Sequence, residues 1–111
     1  MDKTLREEIN QLHAQVCSAL ADSNRILILY TLDDETYNVS DLADAVGLSQ
    51  PTTSRHLKVL RERGMVSAQR DGQSVNYTLA DKRITQALDL LRSFLGDKLR
   101  TQADLVSPVD E

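Results

Sequence analysis

Apolar positions recur at helical intervals from the first residues of the chain. Leu5, Ile9, Leu12, Val16 and Ala19 follow one another at steps of four, three, four and three. That spacing predicts a helix with a narrow apolar seam, suited to packing on another helix of the same chain or of a partner. Thr4 and Glu7 have the spacing of a capping box at its start. The near-continuous run Ile26-Leu27-Ile28-Leu29-Tyr30 predicts a second helix, from Ile26 to about Leu32, capped by Asp22 or Ser23 and buried on several sides. A third helix is expected to start at Ser40 as N-cap, turn Leu42, Ala43 and Val46 inward, and stop at Gly47.

The stretch from Leu48 to Gly64 is the best punctuated of the chain. Ser49 is placed to cap a helix starting near Gln50, and Pro51 fits in the first turn, where its missing N–H is not needed. Thr53, Leu57 and Leu60 form an inward side, Gly64 supplies a C-terminal cap, and Gln50, Ser54, Arg55, Lys58 and Arg61 are left facing away. Only Gly47-Leu48-Ser49 separate this helix from the third. A helix, a short Gly-containing turn and a basic second helix make a helix-turn-helix, whose second helix enters the DNA major groove.

Beyond Gly64 the period changes to two. Val66, Ala68 and Arg70 alternate with Ser67 and Gln69, Asp71-Gly72 reads as a two-residue turn, and Val75, Tyr77 and Leu79 alternate on the return. This is a β-hairpin in the position of a wing, with Arg70, Gln73 and Ser74 near its tip and able to reach phosphates or the minor groove. Covering the core is the plainer use of such a hairpin. Asp81 then caps a last helix with two adjacent apolar stripes, Ile84, Leu88, Leu91, Leu95 and Ala87, Leu90, Phe94. That face is wider than one small domain uses, which points to a second subunit.

Charge sharpens the picture more than composition does. The 111 residues are 41% hydrophobic and carry a net charge of −4, a sum that by itself argues against nucleic acid. The distribution reverses that: residues 1–49 hold three Lys/Arg against nine Asp/Glu, whereas residues 50–73 hold five against two. Length and balance fit one domain, residues 1–102, followed by a flexible tail, residues 103–111. No apolar run approaches the roughly 20 residues of a membrane span, and no signal-peptide h-region is evident, so a cytoplasmic protein is expected. The single cysteine, Cys17, excludes an intrachain disulfide framework. No nucleophile–base set, paired carboxylates or phosphate-cradling Gly loop suggests an enzyme.

Taken together the motifs resemble the ArsR/SmtB family of winged helix-turn-helix repressors over roughly residues 10–100. The resemblance lies in residues 19–29, Val39-Ser40-Asp41-Leu42-Ala43, Leu48-Ser49-Gln50-Pro51 with residues 54–60, Gly64-Met65-Val66, and Arg70-Asp71-Gly72-Gln73 with Tyr77. It implies a mainly α fold with a small β-hairpin, about five helices plus a two-stranded wing. It also implies a homodimer joined by first and last helices, bound to a near-palindromic operator and released by an effector. Carried onto this chain, Gln50, Ser54 and Arg55 with neighbouring Thr52 face the major groove, and Arg70 and Gln73 serve the wing. Phosphate contacts are expected from Arg55, Lys58, Arg61 and the wing, and Ser49 is counted with the DNA-binding residues. His56 fits either a phosphate contact or a half-buried capping group.

The family's metal sites are where the sequence departs from the pattern. The thiolate site is a Cys-Val-Cys-Asp-Leu run, and the matching residues are Asn38-Val39-Ser40-Asp41-Leu42. Asn and Ser are poor ligands for soft or borderline ions. A second family site draws Asp and His from the last helix, yet residues 81–100 contain no histidine. No metal or cofactor is therefore expected. His13 and Cys17 stand four apart and share a helix face, but a lone Cys beside Val16 is more often packed into a core or dimer seam than used as a ligand or thiol sensor. The functional expectation is a dimeric DNA-binding repressor whose effector is unknown. The alternatives are a winged module that binds protein instead of DNA, and a repressor answering oxidants or persulfides through Cys17.

Overall fold

Asp22 starts the helix on which the core closes: its carboxylate accepts the Asn24 amide at 2.8 Å, and α2 runs Ser23–Thr31, three residues earlier than the apolar run suggests. A computed structural model describes the backbone of residues 3–109 and the side chains of residues 3–103. In chain order, α1 (Lys3–Leu12) leads into a π-turn (His13–Cys17) and a short 3-10 turn (Ala19–Ala21) ahead of α2. β1 (Tyr37–Asn38), α3 (Val39–Val46) and α4 (Gln50–Glu62) follow, then β2 (Val66–Asp71), β3 (Ser74–Leu79) and α5 (Arg83–Val109).

Ile28, Leu29 and Leu32 of α2 and its cap meet Leu42 of α3, Leu57 and Leu60 of α4, Met65, Val66 and Leu88 in one continuous apolar cluster. α3 and α4 end alike. Gly47 and Gly64 each take φ +73°, and the amides of Leu48 and Met65 return to the carbonyls of Ala43 and Leu60 at 3.0 and 2.9 Å. This left-handed termination turns the chain sharply out of each helix, which a side chain at either glycine would resist.

Several expectations are corrected. The first helix is not one α-helical seam: the Ser18 amide bonds the His13 carbonyl five residues back at 3.0 Å, which breaks the periodicity after Leu12. Only Val16 and Ala19 then reach the core, while Leu5, Ile9 and Leu12 stay exposed. Thr4 lies inside α1 rather than ahead of it. Asn38, not Ser40, caps α3, its Oδ1 accepting the Asp41 amide at 2.8 Å. Register pairs Asp71 with Ser74, so the hairpin turn is Gly72-Gln73, with Gly72 at φ +64°, one residue later than Asp71-Gly72. Cys17 is exposed on the single chain, so it is not packed in the core; a place in the dimer seam stays open to it.

The wing is three-stranded rather than two-stranded, in the order β1-β3-β2 and antiparallel throughout. Tyr37 pairs with Tyr77 and Asn38 with Asn76, which fastens the start of α3 to the hairpin. At the other end of the core, Asp81 Oδ1 accepts the Arg83 amide at 2.8 Å, opening α5 as expected. α5 is tied back by Tyr30 Oη donating to Asp89 Oδ1 at 2.7 Å and Thr85 Oγ1 to Asp33 Oδ1 at 2.8 Å. Thr85 and Leu88 are buried. Beyond them the apolar stripes stand in solvent, Leu90 at 74% and Phe94 at 64% exposure. The helical backbone continues to Val109; the expected tail from Ala103 falls almost wholly outside the described side chains. No helix among the described residues is long and apolar enough to cross a membrane.

Candidate nucleic-acid interface

Ser49 does three things at the start of α4. Its Oγ accepts the Thr52 amide at 3.2 Å, its hydroxyl donates to Thr52 Oγ1 at 2.9 Å, and its carbonyl accepts from Thr53 Oγ1 at 2.9 Å. With Pro51 in the first turn, this cap anchors the end of α4 that a major-groove helix presents to base edges. Thr53, Leu57 and Leu60 are buried while Gln50, Ser54, Arg55, Lys58 and Arg61 are exposed, so the helix docks by one face and leaves the other to solvent.

The exposed face is ordered by contacts of its own. Arg55 Nη2 donates to Thr52 Oγ1 at 3.2 Å, which draws the guanidinium toward the N-terminal end. Gln50 Nε2 donates to Ser40 Oγ at 3.2 Å. Ser54, Lys58 and Arg61 then line an open groove of about 510 Å³ with Leu57, Glu62 and the wing residue Tyr77. Arg70 pairs with Val75 and Ala68 with Tyr77, which puts Arg70 on the Tyr77 side of the sheet by strand alternation. Gln73 sits in the turn and shares a groove with Asn38, Ser40 and Tyr77. The helix face and the wing are thus continuous through Tyr77.

His56 is half-buried and lies off the exposed strip. The Asp22 carboxyl is held below its usual range, mainly by the Asn24 amide, with burial opposing and the charges of His56 and Arg25 assisting. Arg63, though part of the basic stretch, is turned away: its guanidinium bonds the carbonyls of Ala14 and Gln15 and the hydroxyl of Ser18. Sequence spacing carries no trace of that role, because two of the acceptors are backbone carbonyls nearly fifty residues away. The contact of Ser40 with Gln50 was equally hidden.

Asn38 and Ser40, which match the two cysteines of the family's thiolate run, are engaged otherwise, Asn38 as a helix cap and Ser40 with Gln50. His13 and Cys17 stand at the two ends of the π-turn. Among the described residues no group of three or more His, Cys, Asp or Glu is gathered where it could hold a metal ion.

Comparison with known proteins bears on the family and the fold. Residues 22–68 match the family model described as bacterial regulatory protein, arsR family. The chain is 42% identical over 83 residues to the HTH-type transcriptional regulator NmtR of Mycobacterium tuberculosis, covering 72% of this chain and 69% of that one. It is 37% identical over 92 residues to the nodulation protein NolR of Rhizobium meliloti, covering 83% and 75%. Among solved structures, NolR from Sinorhizobium fredii superposes with a TM-score of 0.76 at 35% identity, over 86% of this chain and 95% of that one. A homodimeric winged helix-turn-helix DNA-binding domain from Mycobacterium bovis gives 0.76 at 27% identity, over 91% and 93%.

Proposed function

The chain belongs to the arsR family of bacterial regulatory proteins and is a DNA-binding transcriptional regulator; from that premise we propose that it is a homodimeric repressor released by an effector other than a thiolate-bound metal. The observation that carries this reading is the exposed strip of Gln50, Ser54, Arg55, Lys58 and Arg61, bordered by the half-buried wing residue Tyr77 across a shared groove. Gln50, Thr52 and Ser54, held by the Ser49 cap, read base edges. Arg55, Lys58, Arg61 and Arg70 contact phosphates and set the register, with Gln73 at the wing tip. His56 supports the strip from behind.

Dimerisation belongs to the apolar faces that α1 and α5 leave uncovered, Leu5, Ile9 and Leu12 on one and Leu90, Leu91, Phe94 and Leu95 on the other. Together these exceed the scattered apolar surface of an ordinary monomer. One domain, residues 1–102, then both dimerises and binds DNA. The asparagine and serine at the thiolate positions favour an effector of another chemistry.

Binding of the purified protein to its own upstream region, by fluorescence anisotropy with random duplex as competitor, tests the proposal. A preference of 1,000-fold or more for one upstream site is the expected result, within the range of specific DNA binders. Equal affinity for both duplexes would instead favour a winged module that binds protein. Release of the complex by oxidant or persulfide, lost in Cys17→Ser, would assign the switch to Cys17.

A further inference from the structure

The π-turn is an odd place for a cation from the reading helix to end. Arg63 closes α4, yet its Nη1 reaches Ala14 O at 2.5 Å, Gln15 O at 3.1 Å and Ser18 Oγ at 2.6 Å. A π-turn inserts one extra residue into the helical ladder, so its carbonyls are offset from their usual partners. Arg25 holds the following turn in the same way, Nε to Ala19 O at 2.6 Å and Nη2 to Ser18 O at 3.3 Å. Two guanidiniums, one from α2 and one from α4, therefore grip the segment that joins α1 to the DNA-binding body.

Apolar packing shares this grip only in part: Ala19 is buried in the core and Val16 and Leu20 pack on it. Between the π-turn and the end of α4 lies an open groove of about 550 Å³, lined by Leu12, Val16, Gly64, Met65 and Arg63 itself among others. Arg63 bridges that gap. Ahead of it, α1 carries the exposed Leu5, Ile9 and Leu12 assigned above to the dimer.

We propose that Arg63 is a positioning residue for DNA recognition: by clamping the π-turn to the end of α4 it fixes the angle between α1 and the reading helix, and so the half-site separation the dimer accepts. The inference rests on the dimeric regulator reading. The lever is long enough to matter. α4 has 13 residues and spans about 20 Å, so a change of about 10° at the clamp moves its reading end by about 3.4 Å, one base-pair step.

The test uses operators that keep both half-sites and vary their separation by one and two base pairs. Arg63→Met keeps the aliphatic stem and removes the donors; Arg63→Lys keeps a cation. For Arg63→Met, discrimination between the preferred separation and its neighbours is expected to fall tenfold or more, while affinity for a single half-site stays within threefold. Arg63→Lys recovers part of the discrimination. Should Arg63→Met not fold, Ser18→Ala, which removes one acceptor of Arg63 and the hydroxyl's own bond to the Ala14 carbonyl, is expected to show the same loss to a smaller degree. Hydrogen exchange supplies a readout without DNA: the Ser18 amide should exchange at least tenfold faster in Arg63→Met. Unchanged spacing discrimination in the variants, with a specific wild type, overturns the role of Arg63 alone. A wild type that prefers no duplex overturns the regulator reading with it, even if the exchange result holds.

Discussion

Ser40 Oγ accepts a hydrogen bond from Gln50 Nε2 at 3.2 Å across the turn between α3 and α4. Because Asn38 caps α3, the Ser40 hydroxyl is free of that duty and instead orients the first residue of the reading helix. Gln50→Ala is expected to cost about 1–3 kcal/mol of discrimination at one base pair per half-site, the worth of a bidentate contact. Ser40→Ala should relax the same base pair by less and leave the others alone. A panel of single-base operator variants checks both, and an unaltered profile for Gln50→Ala would remove it from the reading face.

Lys58 stands on the groove shared with Arg61 and Tyr77 and is assigned above to the phosphate backbone. Lys58→Ala should weaken binding to all sequences alike and reduce the log–log salt slope by about 0.9 for the one phosphate that the lysine neutralises. Arg55→Ala should lower affinity further, since its guanidinium lies at the N-terminal end with Thr52. Titrations at several salt concentrations separate the two. A slope that does not move in Lys58→Ala contradicts the phosphate assignment.

Gly47 and Gly64 both hold φ +73°, and a Cβ built at either meets nothing within 4 Å. The cost of alanine there is therefore backbone strain without a clash. Each Gly→Ala change is expected to destabilise by about 1 kcal/mol, read as a lower urea midpoint with an unchanged slope. Leu60, fully buried, gives the contrast: Leu60→Ala should cost about 2–5 kcal/mol through its cavity.

Phe94 is 64% exposed on α5 beside Leu90 and Leu91. Phe94→Asp should leave the thermal transition of the DNA-binding core in place and shift sedimentation from dimer toward monomer, with operator affinity falling in step. A variant that still sediments as a dimer would move the interface off this face.

Asp81 is held down to about 2, first by its side-chain bond with Arg83 and then by the Arg83 amide. A carboxyl lowered in the folded state contributes stability that is present above its unfolded value near 3.8 and is lost as pH falls through about 2. Asp81→Asn should flatten this part of the acid-unfolding profile, between about pH 4 and pH 2, and leave the neutral region little changed apart from a weaker start to α5. An identical acid profile would show that the pair with Arg83 adds nothing.

Much of the architecture was legible in the chain because its signals are local. Ser49 and Pro51 mark a helix start, Gly47 and Gly64 mark helix ends, and alternation from Val66 and from Val75 marks two strands, each within a few residues of its cause. Thr53, Leu57 and Leu60 identified the docking side of α4 by periodicity alone, and with it the exposed strip. The apolar excess of the last helix was visible for the same reason. Family motifs then added the expected partner and residue roles.

What needed tertiary structure involves partners far apart in sequence. β1 has two residues and becomes a strand only because Tyr77 and Asn76 lie beside it. Asn38 outcompetes Ser40 as cap since the strand delivers it in extended geometry at the helix start. The π-turn at His13–Cys17 is held by Arg63 at the end of α4, and the turn that follows it by Arg25 of α2, contacts that no periodicity encodes. Local propensity and patterning were enough to determine that this chain builds a reading helix and a wing. The angle at which they are carried, and the residues that hold it, were decided by long-range hydrogen bonds between groups whose sequence separation hides them.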